Sequence, residues 1–261
     1  MSYVEVARAT RDPIVILGGA FMTASELDVE EKRLGMSHRF LYFRGRSAVL
    51  SDPPADVVTS LFGIFPGWLV ELVIEQVTPM VSADTAIDGY SRACAAWGRR
   101  VVGGLDAAGI ADAAALLFRI VDGADVTALP LAAGWHGQDR PEAPAERLAF
   151  ALMLARELRG GLHFAALRTC GLTVPEAVVV DPGGGRGRLE RTGWLAEDAD
   201  ALVARVQQFP DSDTRWQAAE RFTDEAFAAA FSALDEAETD RLVRLLARTY
   251  DAAIAQTPAP A

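Results

Sequence analysis

The feature that most constrains this chain is an unbroken run of eight apolar residues, Leu148–Ala155. Charged residues flank the run and do not interrupt it, and the surrounding segment extends over Ala143–Cys170. A helix at a protein surface carries a polar stripe, so a helix without such a stripe is buried on all sides. We therefore predict a central helix that the other elements of the fold surround.

The composition indicates a mainly α fold, because Ala and Leu dominate among the 51% of hydrophobic residues. A chain of 261 residues forms one large domain or two small ones. We predict a multi-helix bundle with an N-terminal helical part, 1–126, and a helical, winged-helix-like part, 127–261, packed closely or as one compact unit. Leu189–Trp194 is a candidate strand, and the tail Thr257–Ala261 is expected to fray.

Charge and cysteine content exclude several classes of protein. The formal net charge of -11 opposes binding to phosphate backbones and anionic lipids, so a DNA partner needs a local basic patch. No apolar run reaches the roughly 18 residues of a membrane span, and the N-terminus lacks a signal-peptide pattern. Cys94 and Cys170 are far apart in the sequence and do not resemble a disulfide framework. We therefore predict a cytoplasmic protein that does not bind membranes.

The strongest candidate site follows the apolar run. Arg156 and Arg159 come at its end, then Gly160-Gly161, then His163. If the two glycines break the helix, His163 begins a new one, where free backbone N–H groups favour an anion. His163 is then the candidate proton donor or acceptor, and the arginines are candidate ligand contacts. The alternative is structural, with arginines that satisfy terminal carbonyls and a histidine without a chemical role.

Two other segments are candidates for the walls of the same pocket. In the first, Phe40–Arg46, the aromatic ring of Tyr42 can stack on a ligand while Arg44 and Arg46 hold an anion. The alternative is an aromatic core patch with arginines at its rim. The second is the predicted loop Thr127–Ala145, since long loops inside compact domains often bind ligands. It contains the candidates Trp135 and His136, and the alternative for Trp135 is a core plug.

Other chemical motifs are missing or incomplete. His38, His136 and His163 share no ligand spacing, so we predict no metal site. There is no G-x-S-x-G, and the Gly-rich stretch Gly183–Gly187 lacks the lysine of a phosphate-binding loop. Cys170 lies about 10 Å along a helix from His163, too far for a direct hydrogen bond. The sequence therefore identifies neither a cofactor nor a reaction.

Several segments together resemble a family of actinobacterial SalK-like proteins described as helix-turn-helix related. The matching segments are Phe40–Leu50, Arg156–Leu167, Gly193-Trp194 and Glu220–Asp224. The resemblance implies a helical fold with a winged-helix-like second half. It further implies that Leu162–Cys170 and Val174–Val180 are helices flanking a turn, with Glu197–Gln208 leading toward a wing.

The chain departs from the family pattern in two places. Leu158 replaces the first histidine of an R-E-H-R-G-D-G-H run, which leaves His163 as its one histidine, and the usual wing signature is missing after Gln208. The first hypothesis is therefore a protein that binds a small anionic or aromatic ligand, including an accessory enzyme of secondary metabolism. The second is a ligand-responsive winged-helix regulator that binds DNA. A third alternative is a homodimeric scaffold without a ligand.

Overall fold

The computed structural model describes residues 1–255, in which the chain forms helices, turns and connecting segments but no strand. The predicted mainly α, multi-helix architecture is therefore confirmed. The α-helices of the described residues are α1 Tyr3–Ala9, α2 Gly18–Ala20, α3 Ser25–Arg33, α4 Phe40–Ser47, α5 Ala55–Phe62, α6 Gly67–Val77, α7 Ala83–Val102, α8 Ala107–Gly123, α9 Pro130–His136, α10 Pro144–Thr169, α11 Val174–Val180, α12 Arg186–Arg191, α13 Ala196–Gln207, α14 Ser212–Ala228 and α15 Glu236–Ala255. Pro13–Leu17 is a π-helix, and the 3₁₀ turns are Phe21–Thr23, Ala48–Leu50 and Ala229–Ala233.

Helix α10 is the centre of the fold, as the apolar run predicts. No residue of Leu148–Ala155 is more than 2% exposed. The helix packs against α7, α8 and α14. Gly98 allows the close contact with α7, because an added Cβ there would lie 2.6 Å from the carbonyl oxygen of Ala145. Burial of each large apolar side chain of the run stabilises the fold by about 1.5–3 kcal/mol.

The prediction that Gly160-Gly161 breaks this helix is wrong. Helix α10 continues through both glycines to Thr169, so His163 is in its interior rather than in the first turn of a new helix. Each glycine costs about 1 kcal/mol relative to alanine in a helix. The neighbouring Arg, Glu, Leu and Ala residues are strong helix formers, and Gly161 packs against Leu129. Local propensity and packing therefore outweigh the two glycines.

Two other local predictions need correction. The candidate strand Leu189–Trp194 is instead the end of α12 and a turn, because helix packing overrides local β-propensity. The predicted loop Thr127–Ala145 contains helix α9, which starts at Pro130. By contrast, Val174–Val180 is helix α11, as the family resemblance implies, and Thr173 and Glu176 begin it with a reciprocal capping box.

The main core includes buried residues from Val6 in α1 to Ala253 in α15. Within residues 1–255, every helix is either too short or too polar to span a lipid bilayer. The expectation that Thr257–Ala261 frays concerns residues outside the described part of the chain.

Candidate functional site

A cavity of about 1200 Å³ opens between the C-terminal half of α10 and helices α11–α13. Its other walls are the end of α5 and residues 127–132. Four aromatic rings and many aliphatic side chains line it, and the aromatic members are Tyr42, Phe62, Phe164 and Trp216. Ligand sites in proteins are typically concave and mostly apolar, with a few polar groups that orient the ligand.

The charged lining of this cavity is predominantly positive, although the chain as a whole has a net charge of -11. Its arginines are Arg46, Arg156, Arg159, Arg168, Arg188 and Arg205, and its carboxylates are Glu157, Glu176, Asp181 and Glu220. Six guanidinium groups and four carboxylates leave an excess of positive charge at the lining. A cleft with one sign of excess charge and low-dielectric walls attracts ligands of the opposite sign.

A buried ion-pair cluster forms the inner end of the cavity. Arg46 Nε and NH2 donate to the two oxygens of Glu157 at 3.0 and 2.8 Å, and Arg156 NH1 donates to Glu157 Oε1 at 3.0 Å. Burial alone would raise the pKa of Glu157, but the two guanidinium groups outweigh burial and lower it. Tyr42 Oη accepts a hydrogen bond from Arg46 NH1 at 3.2 Å. The cluster therefore keeps both Arg46 and Glu157 ionised.

His163 belongs to a second polar cluster, between α10 and α14. Its Nδ1 lies 3.0 Å from Thr223 Oγ1 and 3.6 Å from Glu220 Oε1. Thr223 donates its hydroxyl proton to the Ala219 carbonyl at 2.7 Å, so it accepts from His163 Nδ1–H. The neutral imidazole therefore keeps its lone pair on Nε2. Burial is the largest cause of the lowered pKa of His163; Glu220 opposes this shift, and Arg159 adds to it.

Two carboxylates hold the guanidinium of Arg159 and restrict its access to a ligand. Its NH2 lies 3.0 Å from Glu220 Oε2 and 3.4 Å from Asp224 Oδ1, and the same two carboxylates pair with Arg11 of the N-terminal segment. Asp224 is 1% exposed, so these charges stabilise the contact between α10, α14 and the N-terminus. Arg156 has an ion pair only with Glu157 among the described residues and is 26% exposed.

The structure brings five of the predicted residues to this one cavity: Tyr42, Arg46, Arg156, Arg159 and His163. Arg44 does not line it, because its guanidinium is buried against Asp52 and the carbonyls of Ser51 and Val81. The prediction that Arg44 belongs to the same pocket is therefore wrong.

The two candidates from the predicted loop also lie elsewhere. Trp135 is fully buried and donates to the Arg46 carbonyl at 3.1 Å, which is the core plug given as its alternative. His136 lies near the surface, 2.9 Å from Asp122 Oδ1, beside a void of only about 10 Å³. The expected pocket wall at Trp135 and His136 is therefore wrong, because α9 directs these residues into the core and toward α8.

Sequence reasoning did not select Glu157, Glu220, Thr223 or Asp224, which hold the cationic residues in place. The run Glu220–Asp224 did stand out in the sequence as one of the segments behind the expected family resemblance. Outside this cavity, Asp28, Glu31 and His38 also lie close together. The side-chain atoms with which they could bind a metal ion are within 4.8 Å of one another. Glu31 accepts backbone N–H groups of Arg39 and Leu41 at 3.0 Å each, so it caps the start of α4.

Helices α11, α12 and α13 form a small three-helix unit on the outer side of the cavity. Each helix contributes one buried residue to a separate small core: Val178, Leu189 and Ala199. Four residues, 192–195, join α12 to α13, and Gly193 adopts φ +96° in this turn. A four-residue turn that contains a glycine and joins two packed helices matches the turn of a helix-turn-helix motif in length and composition. Trp194 Nε1 donates to the Ile64 carbonyl at 2.8 Å and connects the unit to the segment that follows α5.

Most arginines of this three-helix unit are neutralised by neighbouring carboxylates. Arg186 pairs with Asp200 at 2.5 Å and with Glu190 at 2.7 Å. Arg188 pairs with Asp181, and Arg205 pairs with Glu176. Arg168 and Arg191 are exposed and form no ion pair within residues 1–255. The unit therefore offers few free cations for a phosphate backbone.

Neither the curated proteins nor the solved structures contain a significant match to this chain. A family model described as a helix-turn-helix family matches residues 7–260. The match covers nearly the whole chain, including both the helices around α10 and the three-helix unit. This chain therefore belongs to that helix-turn-helix family.

Proposed function

We propose that this chain is a ligand-responsive regulator, in which helices α11–α13 contact DNA and the cavity holds a small anionic effector. The observation that best supports this function is the position of the cavity. One wall is α10 and the other includes Val174 and Val178 of α11, Arg188 of α12 and Arg205 of α13. A ligand that fills the space between these walls contacts the core and the three-helix unit together, so it can favour one placement of the unit over another.

The family supports the DNA-binding half of this proposal. The α12–turn–α13 geometry supports α13 as the helix that enters the major groove, because the second helix of the motif is the recognition helix. Arg168 and Arg191 are the exposed cations without partners in the described residues that adjoin this unit. They are the best candidates for phosphate contacts.

The anionic effector is supported by the excess of arginine along the cavity wall. Arg46 and Tyr42 belong to the inner wall, and Arg156 and His163 lie on the side of α10 that faces the unit. Burial lowers the pKa of His163 and so favours the neutral imidazole, whose Nε2 lone pair is suited to accept a hydrogen bond from a ligand. A catalytic role for His163 remains a prediction of the same proposal.

The finer predictions from the sequence belong to this proposal as well. They are the SalK-like relationship, a place in secondary metabolism, a cytoplasmic location and a homodimer. A homodimer would match the symmetry of the paired half-sites that helix-turn-helix regulators usually read.

A selection of bound sequences from a random duplex DNA pool, followed by affinity measurements over a range of salt concentrations, tests the DNA-binding half. The selected DNA should bind with an affinity that falls steeply with salt, because phosphate contacts release counterions. The double variant R168Q/R191Q should reduce the salt slope by about 0.9 for each phosphate that an arginine no longer neutralises. R244Q/R248Q removes the same charge from α15 and should leave the slope unchanged. Failure to enrich any sequence would contradict the proposal.

A second candidate is a ligand-binding protein that does not contact DNA. The net charge of -11 and the neutralised arginines of the three-helix unit favour it. Under this alternative, no DNA sequence is enriched, whereas anionic small molecules still raise the melting temperature of the protein. The same two measurements therefore separate the two functions.

A further inference from the structure

On the side of α10 that faces the cavity, there is an opening at Gly160, which is a space that no side chain fills. Gly160 lines the cavity, and a Cβ built on it finds no heavy atom within 4 Å. Helical spacing puts Arg156, His163 and Phe164 on the same face as Gly160, one turn before and one turn after it. A helical glycine costs about 1 kcal/mol relative to alanine, and no packing neighbour of Gly160 explains that cost. The opening leaves room for a ligand against the helix backbone.

Arg156 is the guanidinium best able to contact a ligand at one end of this opening. Arg46 uses two nitrogens for Glu157, whereas Arg156 donates to Glu157 through NH1 alone and is partly exposed. Gly19 leaves space for its side chain, since a Cβ at Gly19 would lie 2.8 Å from Arg156 Nε. Glu157 therefore holds the Arg156 guanidinium through NH1, and the other N–H groups of Arg156 remain available as donors to a ligand.

Phe164 forms the opposite end, next to the three-helix unit. Its ring and Val174 of α11 both pack against Gly63, where a Cβ would lie 2.9 Å from the ring and 3.0 Å from the valine methyl. The rise along α10 from Arg156 to Phe164 is about 12 Å. A molecule of that length that starts at Arg156 reaches the first residue of α11.

We infer that the cavity binds an organic acid with a flat, ring-containing body, its carboxylate on Arg156, its ring over Gly160 and its far end against Phe164. This inference rests on the proposed function and specifies the effector. A planar carboxylate matches the fork of a guanidinium group. A flat ring fits a gap that is one side chain wide, and its apolar edge replaces water at the phenylalanine ring. Contact with Phe164 and Val174 links ligand binding to the position of α11.

Calorimetric titration of the full chain with three probes tests this inference. Fluorene-2-carboxylate has the required length, flat ring body and charge, its primary amide lacks the charge, and decanoate has the charge without the ring. The aromatic acid should bind at least about tenfold more tightly than either comparison compound. An amide that binds as tightly as the acid, or no binding of the acid below about 1 mM, would overturn the inference.

Variants of α10 locate the site. Gly160→Leu fills the opening and should abolish binding of the aromatic acid, whereas Gly160→Ala adds one carbon and should change its affinity less than about threefold. Both variants should melt at or above the wild-type temperature, because Ala and Leu favour helix over Gly. Unchanged affinity in Gly160→Leu would show that the acid binds elsewhere and would overturn the inference.

Arg156→Gln should remove the preference for the acid over the amide, and Arg147→Gln on the same helix, outside the cavity, should keep it. Equal preference in the two variants would contradict the role of Arg156. A failure of these ligand predictions together with successful DNA selection would leave the regulator proposal standing, and the reverse result would favour the ligand-binding protein.

Discussion

Arg46 and Glu157 form a bidentate ion pair, 3.0 and 2.8 Å between nitrogen and oxygen, in which neither side chain is more than 9% exposed. The pair connects α4 with α10, and the Arg46 guanidinium also lies 4.5 Å from the centre of the Phe62 ring. Charges removed from water require this degree of pairing, because the desolvation cost of each is several kcal/mol. The polar inner wall of the cavity is therefore part of the core.

Glu157→Gln should destabilise the protein by about 3–5 kcal/mol, because it leaves Arg46 buried without its counter-charge. Chemical unfolding in urea measures the loss. Glu146→Gln is the matched control on the same helix, since its partner Arg99 is 58% exposed and surface pairs contribute at most about 1 kcal/mol. Equal losses in the two variants would mean that the buried pair is no stronger than a surface one.

The pH dependence of stability should include a contribution from His163. Burial lowers its folded pKa below the unfolded value of about 6.5, so the unfolded chain binds the proton more tightly between these two values. This contribution to the free energy of unfolding is fully present above about pH 6.5 and is lost as the pH falls toward the folded pKa. His163→Gln should therefore lose less stability than wild type between about pH 7 and pH 5.5 in urea unfolding. The same loss in both proteins would contradict this assignment.

The sequence predicted the central helix because eight adjacent apolar residues leave no polar face for solvent. It also predicted that Arg156, Arg159 and His163 lie together, although for the wrong local reason. The expected helix break at Gly160 did not occur, since glycine lowers helix stability without forbidding the conformation.

The rest of the site depends on contacts between residues far apart in the chain. Glu157 pairs with Arg46 across 111 positions, and Thr223 contacts His163 across 60. No local pattern encodes such pairs. Arg44 and Arg46 illustrate this limit of sequence-based prediction. The sequence predicted the same role for both, but these two residues of one short helix have different surroundings, since Arg44 pairs with Asp52 and Arg46 with Glu157.

Gly193 should stabilise the turn between α12 and α13. Its φ of +96° is unfavourable for any residue with a Cβ, and an added Cβ would lie 2.5 Å from Leu69 Cδ2. Gly193→Ala should therefore lower the free energy of unfolding by about 1–3 kcal/mol. Gly104→Ala is the control, since a Cβ there meets nothing within 4 Å and φ is not positive. Thermal unfolding of both variants tests the difference, and equal melting temperatures would rule out strain at the turn.

The hydrogen bond from Trp194 to the Ile64 carbonyl should hold the three-helix unit on the core. Trp194→Phe keeps an aromatic ring but removes the N–H donor, which leaves a carbonyl unpaired at a cost of about 1–3 kcal/mol. We expect faster amide hydrogen exchange in α11–α13 and unchanged exchange in α7 and α8, because local opening reports local stability. Uniformly faster exchange along the whole chain would indicate global destabilisation instead.

The carboxylates at the start of α13 should weaken DNA binding by this chain. Glu197 and Asp198 are exposed and lie on the proposed recognition helix, where negative charge opposes a phosphate backbone. E197Q/D198N should tighten binding to the selected DNA by about two- to threefold for each charge removed, at moderate salt. D84N/D88N makes the same change in net charge on α7, and its affinity should stay close to wild type. Because both variants remove two negative charges but from different helices, fluorescence anisotropy titrations of both separate contact by α13 from a general effect of the acidic protein. Equal tightening in the two would favour the general effect and contradict the assignment of α13.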